Sequence, residues 1–303
     1  MPIDLQQVIN SPIALHFASF LGRVIPPGLG YPICDLIADW IATRRDSKLI
    51  QAVRVNQWMV HGASLEKEVL DKVVWETFRN NARNLYDLYH YIQNPEATQR
   101  IISLDSAARG LIERPKFSDR GLVIIGLHLS NFDLVLQSIC RQGFKIMVLT
   151  IPDPQGGRRV EYEMRRRTGM NLVPASVSAL RQAVKHLERG GIVLTGMDRP
   201  VPDPKYCPRF FGHAAPLPIH SIYLALKACV PVVIMAVIQQ TDGLYHVMAS
   251  EPTEMEVYPE NGTEILRNAE NVLKQMEDFI RLAPLQWNMF LPVWPDMLEN
   301  VPG

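Results

Sequence analysis

A histidine and a carboxylate five positions apart could perform acid–base chemistry in this 303-residue chain. His128 ends an apolar run that begins at Leu122 and predicts a buried strand, and Asp133 lies where the next helix is predicted to begin. The Asp133 carboxylate could then accept one imidazole N–H and leave the other ring nitrogen as a general base. Because the chain has no G-x-S-x-G motif, the pair suits a reaction in which the substrate supplies the nucleophilic hydroxyl.

Structural interpretations of both residues stay open. Ser130-x-x-Asp133 fits a capping box, in which the acid only satisfies the start of a helix. His128 could equally be a core histidine whose hydrogen bonds are satisfied. Walker A, GxGxxG, HExxH and paired-cysteine motifs are absent from the sequence, so we expect neither a metal site nor a resident cofactor.

A second group of residues points to an anionic ligand. Residues 155–210 hold 11 lysines and arginines against five acidic residues, although the basic and acidic residues of the whole chain are equal in number. Arginine suits bidentate contact with phosphate, although some of these charges could only solvate helix faces. Asp198-Arg199 follows a predicted strand and therefore opens at the same sheet edge as His128.

A loop rich in aromatic residues follows this basic region. Phe210, Phe211 and Gly212 lead into a proline-containing stretch that ends at Ile219. Apolar loops of this kind often contact apolar ligands, but they also fold onto a domain core.

The elements that must carry these residues change character along the chain. From residue 121, short apolar strands (122–128, 145–150, 192–196, 232–238 and 244–250) alternate with helices (133–141, 177–189, 219–229 and 263–282). This alternation predicts an α/β fold with a mainly parallel central sheet flanked by helices. We expect an N-terminal helical region over residues 1–115 and an α/β core over 116–303, forming one continuous domain.

The N-terminal region is predicted to be helical, with apolar stripes near residues 13–24 and 33–41 and a long helix over 64–93. A Pro-Gly run at 26–32 should separate the first two helices. The stripes either cover the core or lie in a membrane interface, with Arg23, Arg44, Arg45 and Lys48 facing anionic lipid. The start of the chain resembles neither a spanning helix nor a secretory signal.

The overall charge and the cysteine content indicate which kinds of partner and compartment to expect. The 31 basic and 31 acidic residues cancel, so we expect no nucleic-acid partner. Four scattered cysteines indicate a reducing compartment.

Four blocks in order resemble the lysophospholipid acyltransferase superfamily, specifically the branch of lipid A late acyltransferases and phosphatidylinositol mannoside acyltransferases. His128-x4-Asp133 resembles its first motif, and Arg165 with Gly169 resembles an intervening block. The blocks that complete the resemblance are Asp198-Arg199 with Phe210-Phe-Gly212, then Gln286-Trp287 and Pro292–Pro295. The similarity covers about Arg54 to Pro295.

The resemblance implies an O-acyltransferase that moves a fatty acyl group from acyl-CoA or acyl carrier protein to a hydroxyl of a lysophospholipid or glycolipid. His128 would be the general base and Asp133 its partner, while Arg165 or Arg199 would meet the developing oxyanion or phosphate charge. Asp198 would belong to the substrate site, and the Phe210–Gly212 loop would border an acyl chain or the acceptor. It also implies a peripheral position on the cytoplasmic face of the cell membrane.

Two departures from the family pattern leave alternatives open. Many lipid A enzymes have Glu at the position of Asp133, so this chain leans toward the mannoside-type or general lysophospholipid branch. Some relatives place an acidic dyad partner beside the Phe-Phe-Gly block, where this chain has Arg209 and His213, so the carboxylate that completes the dyad stays open. A thioesterase or lipid hydrolase and an inactive lipid-binding protein are the competing functions.

Overall fold

The computed structural model describes residues 11–114, 120–151, 157–257 and 263–303. The expected boundary between helical region and core, at residues 115/116, lies outside these ranges, as does the side chain of Arg158 from the basic region.

A mainly parallel seven-stranded sheet forms the centre of the molecule, which confirms the predicted fold class. Its strands are β1 (Ile102–Leu104), β2 (Leu122–Gly126), β3 (Met147–Thr150), β4 (Asn171–Pro174), β5 (Ile192–Thr195), β8 (Val232–Gln239) and β9 (Tyr245–Ala249). They lie in the order β1-β9-β8-β2-β5-β3-β4. The five strands from β8 to β4 run parallel, whereas β9 and β1 run in the opposite direction. Between β5 and β8, the two-residue strands β6 (Arg209–Phe210) and β7 (His213–Ala214) form a separate hairpin.

Helices cover both faces of the sheet because its central strands are apolar on both sides. Every residue of β5 is buried, as is all of β8 except its last residue. Such continuous apolar runs are typical of parallel strands between helical layers. The helices after residue 94 are α5 (Pro95–Arg100), α6 (Ser106–Ile112), α7 (Phe132–Arg141), α8 (Gly157–Arg167), α9 (Val177–Glu188), α10 (His220–Ala228) and α11 (Thr263–Leu282).

The first 91 residues of the N-terminal region are helical as expected where the structure describes them, although one helix was not predicted and one boundary differs. By contrast, β1 lies within residues 1–115 and belongs to the central sheet, so the region is not wholly helical. Its helices are α1 (Pro12–Val24), α2 (Pro27–Ala42), α3 (Lys48–Val60) and α4 (Lys67–Tyr91). The Pro-Gly run at 26–32 does not form a loop, because Pro27 occupies the first turn of α2, where its missing N–H costs nothing. No helix in the described ranges combines the length and apolar character that crossing a bilayer requires.

Candidate active site

The register of the two central strands brings His128 and Asp198 together. In β2 and β5, Leu122 pairs with Ile192 and Ile125 pairs with Thr195. Both strands end at the same edge of the sheet, and His128 and Asp198 each come three residues after the last of these pairs. That continuation sets His128 opposite Asp198.

The structure pairs His128 with Asp198, not with Asp133 as we expected. The His128 Nδ1 atom lies 2.6 Å from Asp198 Oδ1. The other carboxylate oxygen, Oδ2, accepts the backbone N–H of His128 at 3.0 Å and the Trp287 indole N–H at 3.0 Å. Three N–H groups thus converge on one carboxylate, which is fully buried.

The electrostatics keep Asp198 ionised despite this burial. Burial alone would raise the pKa of the Asp198 carboxyl group, but the neighbouring charge of His128 and the three hydrogen bonds outweigh it and lower the pKa. A carboxylate at this position fixes the proton of the imidazole on Nδ1 and directs the lone pair to Nε2.

The imidazole ring is held on both sides while its outer nitrogen stays accessible. The Phe132 ring contacts it edge-on, with 5.1 Å between the ring centroids. On another side lies Gly196, where an added Cβ atom would come within 3.1 Å of His128 Cε1. The His128 side chain is 26% exposed, and its Nε2 atom has no hydrogen bond within the described part of the chain. This geometry leaves Nε2 available to take a proton from a reactant.

Asp133 forms a different ion pair. Its two carboxylate oxygens accept hydrogen bonds from Arg165 Nε at 2.9 Å and from Arg165 Nη2 at 3.0 Å. Burial opposes the charge of the guanidinium, yet the adjacent Asp133 carboxylate outweighs this effect and raises the pKa of Arg165. The capping-box alternative also differs from the structure, since the N-cap of α7 is Asn131. Asp133 therefore ties α7 to the C-terminal end of α8.

The aromatic loop is a tight hairpin whose first phenylalanine belongs to the core. Phe210 is completely buried and stacks on Trp294, with ring centroids 5.6 Å apart. This placement contradicts the expected contact of Phe210 with substrate. The turn itself consists of Phe211 and Gly212, both with positive φ angles of 49° and 79°, as a two-residue hairpin turn requires.

Phe211 is held in this unfavourable conformation by α11. Glu277 Oε1 accepts its backbone N–H at 2.6 Å, and the Arg281 guanidinium lies 4.9 Å from the centre of its ring. Phe211 is half-buried and Gly212 is exposed. The other expected site residue, Arg199, is half-buried directly after Asp198, at the sheet edge where we expected it.

The sequence contained a signal for the His128–Asp198 pair. Residues 122–128 read Leu-Val-Ile-Ile-Gly-Leu-His, and residues 192–198 read Ile-Val-Leu-Thr-Gly-Met-Asp. Both begin with four residues that are apolar except for Thr195, and both continue with glycine, one apolar residue and a polar residue. This match predicts paired strands with both polar residues at one level. Trp287 carried no comparable signal, because its contact with Asp198 joins residues 89 positions apart.

Among the described residues, no cluster of three or more histidine, cysteine or acidic side chains is arranged to hold a metal ion.

Residues 13–295 match the family model described as bacterial lipid A biosynthesis acyltransferase. No curated protein matches the chain significantly. Among solved structures, the chain is similar to the 1-acyl-sn-glycerophosphate (LPA) acyltransferase PlsC from Thermotoga maritima. That similarity has 16% sequence identity and a TM-score of 0.35, and it covers 80% of this chain and 96% of PlsC.

Proposed function

Because the chain belongs to the bacterial lipid A biosynthesis acyltransferase family, we propose that it transfers a fatty acyl group from a thioester to a hydroxyl group of a lipid acceptor. The donor is acyl-CoA or acyl carrier protein. The acceptor is a lysophospholipid or a glycolipid of the lipid A or phosphatidylinositol mannoside type.

The observation that carries this proposal is the His128–Asp198 pair with its accessible Nε2 atom. In the reaction, Nε2 takes the proton of the acceptor hydroxyl as the oxygen attacks the thioester carbonyl carbon. The tetrahedral intermediate collapses by breaking the C–S bond, and the proton on Nε2 passes to the departing thiolate. Asp198 keeps Nδ1 protonated throughout and stabilises the transient imidazolium.

Cationic side chains near the dyad have separate roles. The Nε and Nη2 groups of Arg165 bind Asp133. Arg199 directly follows Asp198 at the sheet edge, and this position supports it as the group that meets the oxyanion or a substrate phosphate. Arg165 then acts on the site by fixing the start of α7, the helix that follows His128.

The first two helices support a membrane-bound position for the enzyme. Most side chains of their apolar stripes face outward, whereas Ile41 near the end of α2 packs against the core. The exposed residues in α1 are Ile13, Phe17, Phe20 and Val24, and those in α2 are Leu29, Ile33, Leu36, Ile37 and Trp40. So many exposed large apolar side chains on two helices support an interaction with a membrane or a protein.

The inner face of α2 carries its charges, which is the reverse of an ordinary surface helix. Asp39 forms a bidentate ion pair with Arg79 of α4, and Asp35 forms another with Arg83. Acidic side chains thus point toward the protein while aliphatic and aromatic ones point away. This polarity fits a helix whose outer face lies in the lipid interface of the cytoplasmic leaflet.

Substitution of Leu36 by glutamate tests the membrane contact. Leu36 is 69% exposed, so the change leaves the fold intact but removes apolar area worth about 1.5–3 kcal/mol when buried in lipid. We expect binding to anionic vesicles, measured by sedimentation, to weaken by at least about tenfold. Leu282→Glu is the matched control, because Leu282 is 64% exposed and ends α11. Equal vesicle binding of both variants and the wild type would contradict the membrane role.

Acyl transfer itself is tested with labelled donors and candidate acceptors presented in vesicles. We expect a new lipid ester that appears only when donor, acceptor and protein are combined. Release of free fatty acid irrespective of acceptor would identify a hydrolase. Lipid binding without turnover across acyl-CoA and acyl carrier protein donors would identify a non-enzymatic lipid-binding protein.

A further inference from the structure

A short C-terminal segment, residues 286–288, lies directly against the turn that carries His128. Trp287 and Leu129 form an isolated antiparallel bridge. The backbone N–H of Ser130 donates to Gln286 O at 2.8 Å, and the backbone N–H of Asn288 donates to His128 O at 2.8 Å. The segment therefore pairs with the turn as a very short strand would.

Side chains of the same segment reach the catalytic carboxylate and the turn. The Trp287 indole donates to Asp198 Oδ2, and the Asn288 amide donates to Ser130 O at 2.7 Å. With Oδ2 occupied by Trp287 and by the backbone of His128, Oδ1 remains for the Nδ1–H group. We propose that Trp287 and Asn288 are positioning residues that set the orientation of the His128–Asp198 dyad.

The turn needs this support because the backbone conformation of Ser130 is unfavourable. Ser130 has a φ angle of 49°, a left-handed conformation that residues other than glycine rarely adopt. Both of its backbone polar groups are bound by the C-terminal segment, its N–H by Gln286 and its carbonyl by Asn288. Loss of these bonds would allow the turn to relax and the imidazole to move with it.

The segment is itself anchored on two elements. The Gln286 side chain accepts the backbone N–H of Gln239 in β8 at 2.9 Å and donates to its carbonyl at 2.8 Å. The Asn288 Oδ1 atom accepts a hydrogen bond from Asn81 of α4 at 3.1 Å. The dyad is thus positioned from the sheet and from the N-terminal helices together.

A matched pair of tryptophan substitutions separates positioning from packing. Trp287 and Trp294 are both 1% exposed and both contact the Phe210 ring. Whereas Trp287 donates to Asp198, the Trp294 indole N–H has no partner within the described residues. Phenylalanine at either position removes similar buried volume, but only Trp287→Phe removes a hydrogen bond to the dyad.

The inference rests on the proposed acyl transfer, and the expected result is a split between kinetic parameters. Trp287→Phe should lower kcat about 10- to 100-fold, the factor for a hydrogen bond to a charged group, while KM stays within about twofold. Trp294→Phe should retain kcat within about threefold at a comparable loss of thermal stability. Asn288→Asp, which keeps the side-chain size but turns an oxygen toward the Ser130 carbonyl, should also lower kcat.

A spectroscopic readout keeps this test independent of turnover. The ¹H NMR signal of the His128 Nδ1 proton should shift in Trp287→Phe and stay in place in Trp294→Phe. Equal kcat losses in the two tryptophan variants, or an unmoved proton signal in Trp287→Phe, would overturn the inference. If the wild-type protein fails to transfer acyl groups but the proton signal still shifts in Trp287→Phe and not in Trp294→Phe, only the proposed function is overturned.

Discussion

Replacing Asp198 by asparagine should abolish catalysis while leaving the protein folded. The carboxylate accepts N–H groups from His128 Nδ1 on one oxygen and from the His128 backbone and Trp287 on the other. Asparagine has only one oxygen. If that oxygen faces the two donors, their hydrogen bonds survive and the amide NH₂ group faces Nδ1.

That orientation forces the imidazole into the tautomer with its proton on Nε2, because Nδ1 must now accept. Nε2 then has no lone pair and cannot act as a base. The opposite orientation would leave two buried donors facing an NH₂ group, at about 1–3 kcal/mol each. The first orientation is therefore preferred, and kcat should fall about 10⁴-fold, as when the orienting aspartate of a serine-protease triad is replaced by asparagine.

The assay is the transfer of labelled acyl groups at saturating donor, with thermal unfolding measured in parallel. Asp278→Asn serves as the control, since the Asp278 side chain is 76% exposed on α11. A folded Asp198→Asn protein with kcat within tenfold of the wild type would refute the assignment of Asp198 as the partner of His128.

Three further substitutions test the surroundings of the dyad and a buried carboxylate of α4. Asp133→Asn should lower the free energy of unfolding by about 1–3 kcal/mol, because it removes the carboxylate that pairs bidentately with the three-quarters-buried Arg165; an unchanged calorimetric transition would count against the pair. Gly196→Ala should lower kcat about three- to tenfold by pressing on the His128 ring, and wild-type kcat would show that the ring has room to move. The buried Asp87 of α4 accepts hydrogen bonds from the hydroxyl groups of Tyr31 and Tyr245, but burial outweighs them and raises the pKa of Asp87, so its ionisation costs stability once the pH exceeds the unfolded value of about 3.9. Asp87→Asn should therefore raise the melting temperature at pH 7 but not at pH 3, and a gain at pH 3 alone would contradict this.

The sequence predicted the sheet better than it predicted contacts between distant residues. The five predicted strands agree with β2, β3, β5, β8 and β9 to within two residues, because apolar runs between turn signals specify buried strands. By contrast, α3 was missed. It is buried on all sides, so its sequence shows no amphipathic period, and its polar residue Asn56 bonds instead to backbone groups of residues 289–293.

Four polar residues of the candidate site were singled out from the sequence, but their pairing was not predicted. His128, Asp133, Arg165 and Asp198 were all identified from the sequence. Proximity along the chain favoured Asp133 as the partner of His128, whereas strand register brings Asp198 from 70 positions away. The first-turn carboxylate is taken by Arg165, whose approach depends on how α8 packs. Phe210 was misplaced for a similar reason, since only the folded chain shows the tryptophans that bury it.

The most direct test of the central claim is acyl transfer by His128→Ala in a single-turnover experiment with labelled thioester and lipid acceptor. The His128 side chain is only partly buried, so the variant should retain its fold and its vesicle binding. With the general base removed, the rate of ester formation should fall at least about 10³-fold while the donor still binds. Ester formation at the wild-type rate by the folded variant would contradict the role of His128 as the base.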